Sequence, residues 1–283
     1  MSLSPVWTEQ TVFNPELYVP RRLGGLVDFI AELRQSLPVR KRILPGGKVE
    51  LAFLLDGSDV TEFYMGWDPP SERGPRKDFG LVFSVSNRPQ IVSARRIHIL
   101  LVLMNPAAAM LLFGVPASEF TNRTVRLADL GIPTAGLQDR LNSLPSFTER
   151  AQAVEEWILN RLRHSGNPPN FLAIAQNVID IFGDGRTVPD GRQVMDFTGY
   201  STAHANRLAK QWLGLPVERY AALTVYRKAL ALLNSPLSLA EVATRAGYFD
   251  QAHFTRRFRD YSGVSPGQYR LTHRTGLDTL HLD

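Results

Sequence analysis

Residues Ser238–Arg270 read SLAEVATRAGYFDQAHFTRRFRDYSGVSPGQYR and contain the start and stop signals of two short helices. Ser238 and Glu241 have the spacing of an S-x-x-E capping box, which marks the start of a helix. Gly247 follows the apolar face of this helix and can adopt the positive φ of a tight turn. Since Asp250 can cap another helix, the stretch predicts two helices joined by a tight turn, at about residues 238–262.

The second of these helices has an apolar face and a polar, basic face. Phe254, Phe258 and Tyr261 recur at helical spacing and should be buried together. The opposite face carries side chains suited to DNA, namely Gln251, Ala252, His253, Thr255, Arg256 and Arg259. Arginine can pair with guanine and glutamine with adenine in the major groove, and small side chains permit close approach. The pattern therefore predicts a helix-turn-helix unit.

The residues around the turn also carry a family resemblance. Gly247–Phe254 (GYFDQAHF), Arg257-Phe258, Gly263–Pro266 (GVSP) and Tyr269-Arg270 resemble the signature of the AraC/XylS family of transcription regulators. The resemblance implies two helix-turn-helix units joined by a linker helix, binding of double-stranded DNA, and no cofactor. Without it, a helical hairpin with a solvated basic face would be the commoner explanation.

An earlier copy of the unit is expected at about residues 187–214. Its predicted recognition helix opens at Tyr200-Ser201 and turns Ala205, Leu208 and Trp212 inward. The residues expected to face DNA are Ser201, Ala203, His204, Asn206, Arg207 and Lys210. The stretch Ala221–Leu233 fits the linker helix. The bracing helix, at about residues 189–198, lacks a capping box, and Ala203 stands where many relatives carry a bulkier residue. This unit is therefore expected to contribute less to specificity.

The charge distribution is consistent with the prediction of a C-terminal DNA-binding region. Residues 186–283 contain 13 basic and 8 acidic residues, so the net charge of +5 lies entirely in this part of the chain. Such an asymmetry favours a nucleic-acid-binding segment joined to a neutral one. The chain has no cysteine, which excludes disulfides, thiolate metal sites and cysteine nucleophiles. The histidine spacing indicates no metal site, and no G-x-S-x-G motif is present, so we expect no catalytic site and no enzyme.

The chain shows no secretory signal and no membrane segment. The most apolar stretch, Ile97–Met104, is much shorter than the ~20 residues of a membrane span. A cytoplasmic protein without membrane contact is therefore expected.

The fold class predicted is α+β, with a β-rich domain at residues 4–146, for which a cupin-like form is one alternative, before an all-α domain at 186–275. Strands are expected at Lys48–Leu55, Gly80–Ser86 and Gln90–Met104, and a short helix at Pro106–Phe113. Connecting helices at Thr148–His164 and Asn170–Phe182 should occupy residues 147–185.

Several segments of the β-rich domain resemble an uncharacterised N-terminal domain of one branch of the same family: Leu44–Gly47 (LPGG), Val49–Phe53 (VELAF), Leu112–Phe120 (LFGVPASEF) and Leu127–Leu130 (LADL). This resemblance implies a sensor of an unidentified small-molecule effector. The candidate pocket residues are Phe53, Tyr64, Trp67 and Phe83, with Arg95 as an anion anchor. Core aromatics and surface arginines are the commoner explanation of these residues.

The sequence leaves several alternatives open. The chain fits an activator or a repressor, and a monomer or a homodimer, with RNA polymerase as a candidate partner. A competing hypothesis is an enzyme or small-molecule binder whose C-terminal helices are only a scaffold. That hypothesis predicts no affinity for DNA, and therefore no affinity that decreases steeply as the salt concentration rises.

Overall fold

The computed structural model describes residues 16–36, 38–65, 79–83, 85–164, 199–272 and 279–281. Antiparallel strands occupy the first part of the chain and helices the last, as the α+β prediction expected. The strands are Glu16–Tyr18 (β1), Val27–Gln35 (β2), Val39–Ile43 (β3), Val49–Leu54 (β4), Asp59–Met65 (β5), Gly80–Phe83 (β6), Gln90–Met104 (β7), Thr124–Arg126 (β8) and Thr279–His281 (β9).

The long strand β7 organises the sheet. Its second half pairs with β2 and β4, and its first half pairs with β3 and β5. Leu100, Val102 and Met104 are fully buried while the residues between them are half-buried, which is the two-residue alternation of a strand. The strand β9, near the end of the chain, pairs with β3, so the chain returns to the sheet after the helices.

The helices follow the strands in the chain. They are Pro106–Phe113 (α1), Ala135–Ser143 (α2), Phe147–His164 (α3), Thr202–Leu213 (α4), Val217–Leu232 (α5), Leu239–Ala246 (α6), Gln251–Ser262 (α7) and Pro266–Thr272 (α8). The predicted α1 is confirmed, with the Asn105 side chain accepting a hydrogen bond from the Ala107 N–H at 2.9 Å and Gly114 at φ 72° after its end. The predicted helices at 170–182 and 189–198 lie outside the described residues.

A buried charged contact fixes α3 on the sheet. The Arg150 guanidinium on α3 donates hydrogen bonds to the Glu32 carboxylate on β2 at 2.8–3.0 Å, and both side chains are buried. His98 Nε2 lies 2.7 Å from the same carboxylate. Burial raises the pKa of Glu32, but hydrogen bonds from His98, Arg150 and Arg34 outweigh it, so the pKa is lowered. Because a misplaced partner would leave a buried charge unpaired, this contact disfavours other docking positions of α3.

One hydrophobic core runs through both parts of the molecule. It includes Leu51 and Phe53 of β4, Leu112 of α1, Val154 of α3, Ala209 of α4, Tyr220 of α5 and Phe258 of α7. A smaller cluster on the other face of the sheet contains Ala52, Val60, Leu81, Phe83 and Ala94. The C-terminal helices therefore share their core with the β-rich part of the chain.

This shared core corrects the predicted inner face of α4. Ala205 is buried as expected, but Ala209 and Leu213 fill the other deep positions. Leu208 and Trp212, predicted to face inward, are only half-buried. The reason is that α4 packs against α1 and the short 3₁₀ turn Ala117–Glu119 of the β-rich part, which the helical pattern of α4 alone does not reveal.

Candidate nucleic-acid interface

The second unit begins with the capping box that its sequence predicts. The Ser238 hydroxyl accepts a hydrogen bond from the Glu241 N–H at 3.2 Å, and the Glu241 carboxylate accepts one from the Ser238 N–H at 2.8 Å. Hydrogen bonds from the Ser238 backbone and side chain hold the pKa of Glu241 below its ordinary value. Two N–H groups at the start of α6 are thus satisfied reciprocally.

The turn between α6 and α7 is tight. Gly247 adopts φ 104°, and its N–H donates to the Ala243 carbonyl at 3.1 Å. Tyr248 then points inward, where its ring contacts Phe254 at a centroid distance of 5.1 Å, and burial raises its pKa. The Asp250 carboxylate accepts a hydrogen bond from the His253 N–H at 2.6 Å and caps α7. The turn therefore gives α7 a defined, well-capped N-terminus.

Aromatic side chains anchor the inner face of α7. Phe254 and Phe258 are fully buried, and the Phe258 ring contacts Tyr226 of α5 at 5.3 Å and Tyr269 of α8 at 5.5 Å. Tyr261, the third residue predicted for this face, is half-buried and stacks on Tyr226 at 4.7 Å. The helix is thus held by contacts within the second unit and with α5.

The outer face of α7 brings together the side chains predicted to read DNA. Gln251, Ala252, Arg256 and Arg259 are exposed, and His253 and Thr255 are half-buried. The Thr255 hydroxyl donates to the Gln251 carbonyl at 2.8 Å, so its methyl group remains for contact. A surface of this kind combines two guanidinium groups with an amide and small side chains, which suits the edges of base pairs.

The first unit presents a similar but less regular surface on α4. Ser201 caps this helix by accepting a hydrogen bond from the His204 N–H at 3.3 Å, and Ser201, Ala203, Arg207 and Lys210 are exposed. His204 is half-buried, with its ring 4.5 Å from that of Tyr200 and its Nδ1 3.0 Å from Arg207 Nη2. The histidine therefore orients the neighbouring arginine.

Asn206 has a structural contact that sequence reasoning missed. Its side-chain oxygen accepts a hydrogen bond from the Val217 N–H at 3.1 Å, and the residue is half-buried. Val217 is the first residue of α5, so Asn206 caps the linker helix across the turn. An asparagine eleven residues before the first residue of a helix carries no local signal of this role.

Phe249 is the other feature that the sequence analysis did not single out. It lies in the turn directly before the Asp250 cap and is 93% exposed. A large apolar residue between a buried tyrosine and a capping aspartate was the available signal. Its exposed ring is an apolar surface two residues before the start of α7.

The structure describes the side chains of three of the candidate effector residues, Phe53, Phe83 and Arg95, and does not bring these three together. Phe53 belongs to the main core, with its ring 5.2 Å from Phe79 and 5.8 Å from Trp157, whereas Phe83 lies in the smaller cluster on the other face of the sheet. Arg95 is largely exposed and pairs with Asp59 at 3.4 Å. The Tyr64 side chain and Trp67 lie outside what the structure describes. The alternation of strand side chains thus separates Phe53 from Phe83 and argues against one pocket lined by both.

A family model described as a helix-turn-helix domain matches residues 195–272. The chain is 30% identical over 76 residues to the F1 operon positive regulatory protein of Yersinia pestis, covering 26% of this chain and 25% of that protein. It is 29% identical over 90 residues to the HTH-type transcriptional activator AarP of Providencia stuartii, covering 31% of this chain and 66% of that protein. The C-terminal region is therefore similar to helix-turn-helix domains and to proteins named as transcriptional activators.

The chain spans between a quarter and two thirds of the length of these two relatives. Among solved structures, ToxT from Vibrio cholerae is similar with a TM-score of 0.47 and 8% identity, covering 86% of this chain and 97% of that one.

The described ranges of the chain also bear on membrane and metal sites. No helix in these ranges is long and apolar enough to cross a membrane. In the same ranges, no three His, Cys, Asp or Glu side chains lie close enough together to hold a metal ion.

Proposed function

We propose that this chain is a sequence-specific DNA-binding regulator of transcription that uses α4 and α7 as recognition helices. The observation that carries the proposal is the exposed face of α7, with Gln251, Arg256 and Arg259 on a helix anchored by buried phenylalanines. The N-terminal residues of such a helix contact base edges when it enters the major groove. The likeness of residues 195–272 to a helix-turn-helix domain, and of the chain to proteins named as transcriptional activators, supports the same function.

Each of the two helices would contribute contacts to bases and to phosphates. Two recognition helices in one chain can enter successive major grooves on one face of the duplex, ~34 Å apart. Gln251, Arg256 and Arg207 would contact bases, while Lys210 and Arg259 would contact phosphates and set the register. No catalytic residue is assigned.

The test is binding to DNA at several salt concentrations. The full-length protein is first used to select bound sites from a random duplex pool, and the affinity for a selected site is then measured by fluorescence anisotropy. Phosphate contacts release counterions, so log K should fall linearly with log salt, by about 0.9 for each phosphate neutralised. An enzyme or small-molecule binder with a helical scaffold would select no site and show no such slope.

The proposal extends to control of the DNA-binding domain by the β-rich part. The shared core supports this extension, because a shift of side chains in the β-rich part would change the packing of α4 and α5. A small-molecule effector would raise the melting temperature and change the affinity for the selected site in the same sample. RNA polymerase, as a further partner of an activator, would be tested by transcription from a promoter carrying that site.

A further inference from the structure

Both candidate recognition helices end against side chains of the β-rich part. At the end of α4, the Thr121 hydroxyl donates to the Gly214 carbonyl at 2.8 Å and also lies 3.1 Å from the Ala117 carbonyl. At the end of α7, Arg42 Nη1 on β3 donates to the Ser262 carbonyl at 3.3 Å. The last carbonyls of a helix have no partner within the helix and carry partial negative charge, so such donors are favourable there.

At Gly214, the end of α4 packs directly against the β-rich part without a gap. Gly214 adopts φ 81°, and a Cβ built on it would lie 2.5 Å from the Thr121 hydroxyl and 3.3 Å from the Ala117 carbonyl. A side chain at this position would force α4 away from the β-rich part. The end of α4 is therefore held closely as well as hydrogen-bonded.

The linker helix α5 is held by the same part of the molecule. The Tyr220 hydroxyl on α5 is buried and donates to the Gly47 carbonyl at 3.2 Å, in the turn before β4. The Arg227 side chain packs over the neighbouring Gly46. The β-rich part thus contacts α4, α5 and α7. The position of α4 relative to α7 is therefore set by these contacts as well as by the covalent connection through α5.

We propose that Thr121 and Arg42 are positioning residues that set the separation of the two recognition helices, and thereby the spacing of the two DNA segments the chain selects. The inference rests on the proposed function. One base pair inserted between two segments moves them apart by about 3.4 Å and rotates them by about a tenth of a turn. A rigid pair of helices rejects the altered spacing, whereas a pair joined only by α5 can adjust.

The experiment compares spacing preference in full-length variants. The site selected by the wild type is made with its natural spacing and with one base pair inserted or deleted between its two segments. A third duplex carries only the segment contacted by α7. Affinities are measured for the wild type, Thr121→Val, Arg42→Met and the double variant, with Thr121→Ser as the variant that keeps the hydroxyl.

Matched controls remove similar groups elsewhere. Thr61→Val deletes a hydroxyl that donates to the Ser93 carbonyl at 3.1 Å within the sheet, and Arg140→Met deletes a guanidinium paired with Glu156 on the surface. Both controls and Thr121→Ser should retain the wild-type preference for the natural spacing.

The spacing preference is the ratio of the affinity for the natural spacing to that for an altered spacing. We expect this ratio to fall by about two- to tenfold for each hydrogen bond removed, while the affinity for the single segment stays unchanged. The proposal is overturned if the double variant keeps the wild-type preference. It is also overturned if single-segment binding falls as much as binding to the full site, because the two residues would then only stabilise the fold. If the wild type selects no site at all, it is the proposed function that fails.

Discussion

The two candidate helix-turn-helix units differ, among the described residues, in which parts of the chain contact their recognition helices. In the second unit, the capping box of α6, the turn at Gly247 and the aromatic contacts of α7 involve residues of the unit itself, of α5 and of α8. In the first unit, α4 packs against α1 and the turn Ala117–Glu119, and its end contacts Thr121. Among the described residues, the second unit is held mainly by its own residues and by α5 and α8, whereas α4 packs on the β-rich part.

This difference explains why the two units are unequally visible in the sequence. A self-contained unit carries its caps, turn and core within some thirty residues, so its pattern is dense. A unit supported by a distant part of the chain can dispense with local signals. The weaker motif of the first unit therefore indicates outside support as much as weaker binding.

The largest expected effect is on the core of the second unit. Phe258→Ala should lower the free energy of unfolding by about 3–5 kcal/mol, because it empties a site between Tyr226 and Tyr269. Trp212→Ala in the first unit should cost less, since Trp212 is only half-buried. Urea denaturation followed by circular dichroism measures both changes, and equal losses would contradict the comparison.

The next effect concerns DNA binding by each helix. Arg256→Ala should cost about 1–3 kcal/mol of binding free energy and relax the preference at one base position, whereas Lys210→Ala should weaken all sequences about equally and reduce the salt slope by about one. Anisotropy titrations with single-base variants of the selected site measure both changes. If both variants bound DNA like the wild type, the assigned DNA-facing surfaces would be wrong.

A smaller effect distinguishes capping from base contact at Asn206. Asn206→Ala should reduce stability by about 1 kcal/mol, because the Val217 N–H loses its acceptor. Asn206→Asp keeps an acceptor and should restore most of that stability in thermal denaturation. Gln251→Ala, on the exposed face of α7, should leave the melting temperature unchanged. Full stability of Asn206→Ala would show that the cap is unimportant.

The smallest effect is a pH dependence confined to the second unit. The pKa of Glu241 is lowered in the folded protein from 4.5, so its contribution is present above that value and is lost as the pH falls through the folded pKa. The stability difference between the wild type and Glu241→Gln should therefore shrink as the pH is lowered from about 6 to about 3. His204 lies three residues after the Ser201 cap of α4 and has no carboxylate, so His204→Gln should show no such carboxylate-dependent loss. A difference that stays constant with pH would contradict this role of Glu241.

Much of the local structure could be predicted from the sequence. The strands around residues 48–55 and 90–104, the capping box and both recognition helices all depend on alternation, helical spacing or capping residues. The predictions were less successful where a distant partner decides the outcome. The inner face of α4 differs because α1 packs on it, and Phe53 and Phe83 do not share a pocket because they lie in separate clusters.

The sequence by itself therefore determined the second unit, because its hydrogen bonds join residues three or four positions apart and leave a readable spacing. Only the tertiary structure decided how the two units are held relative to each other. The deciding contacts join Thr121 to Gly214 and Arg42 to Ser262, which are 93 and 220 residues apart in the chain. Contacts between such distant residues depend on how the whole core packs, and packing leaves no periodic pattern along the chain.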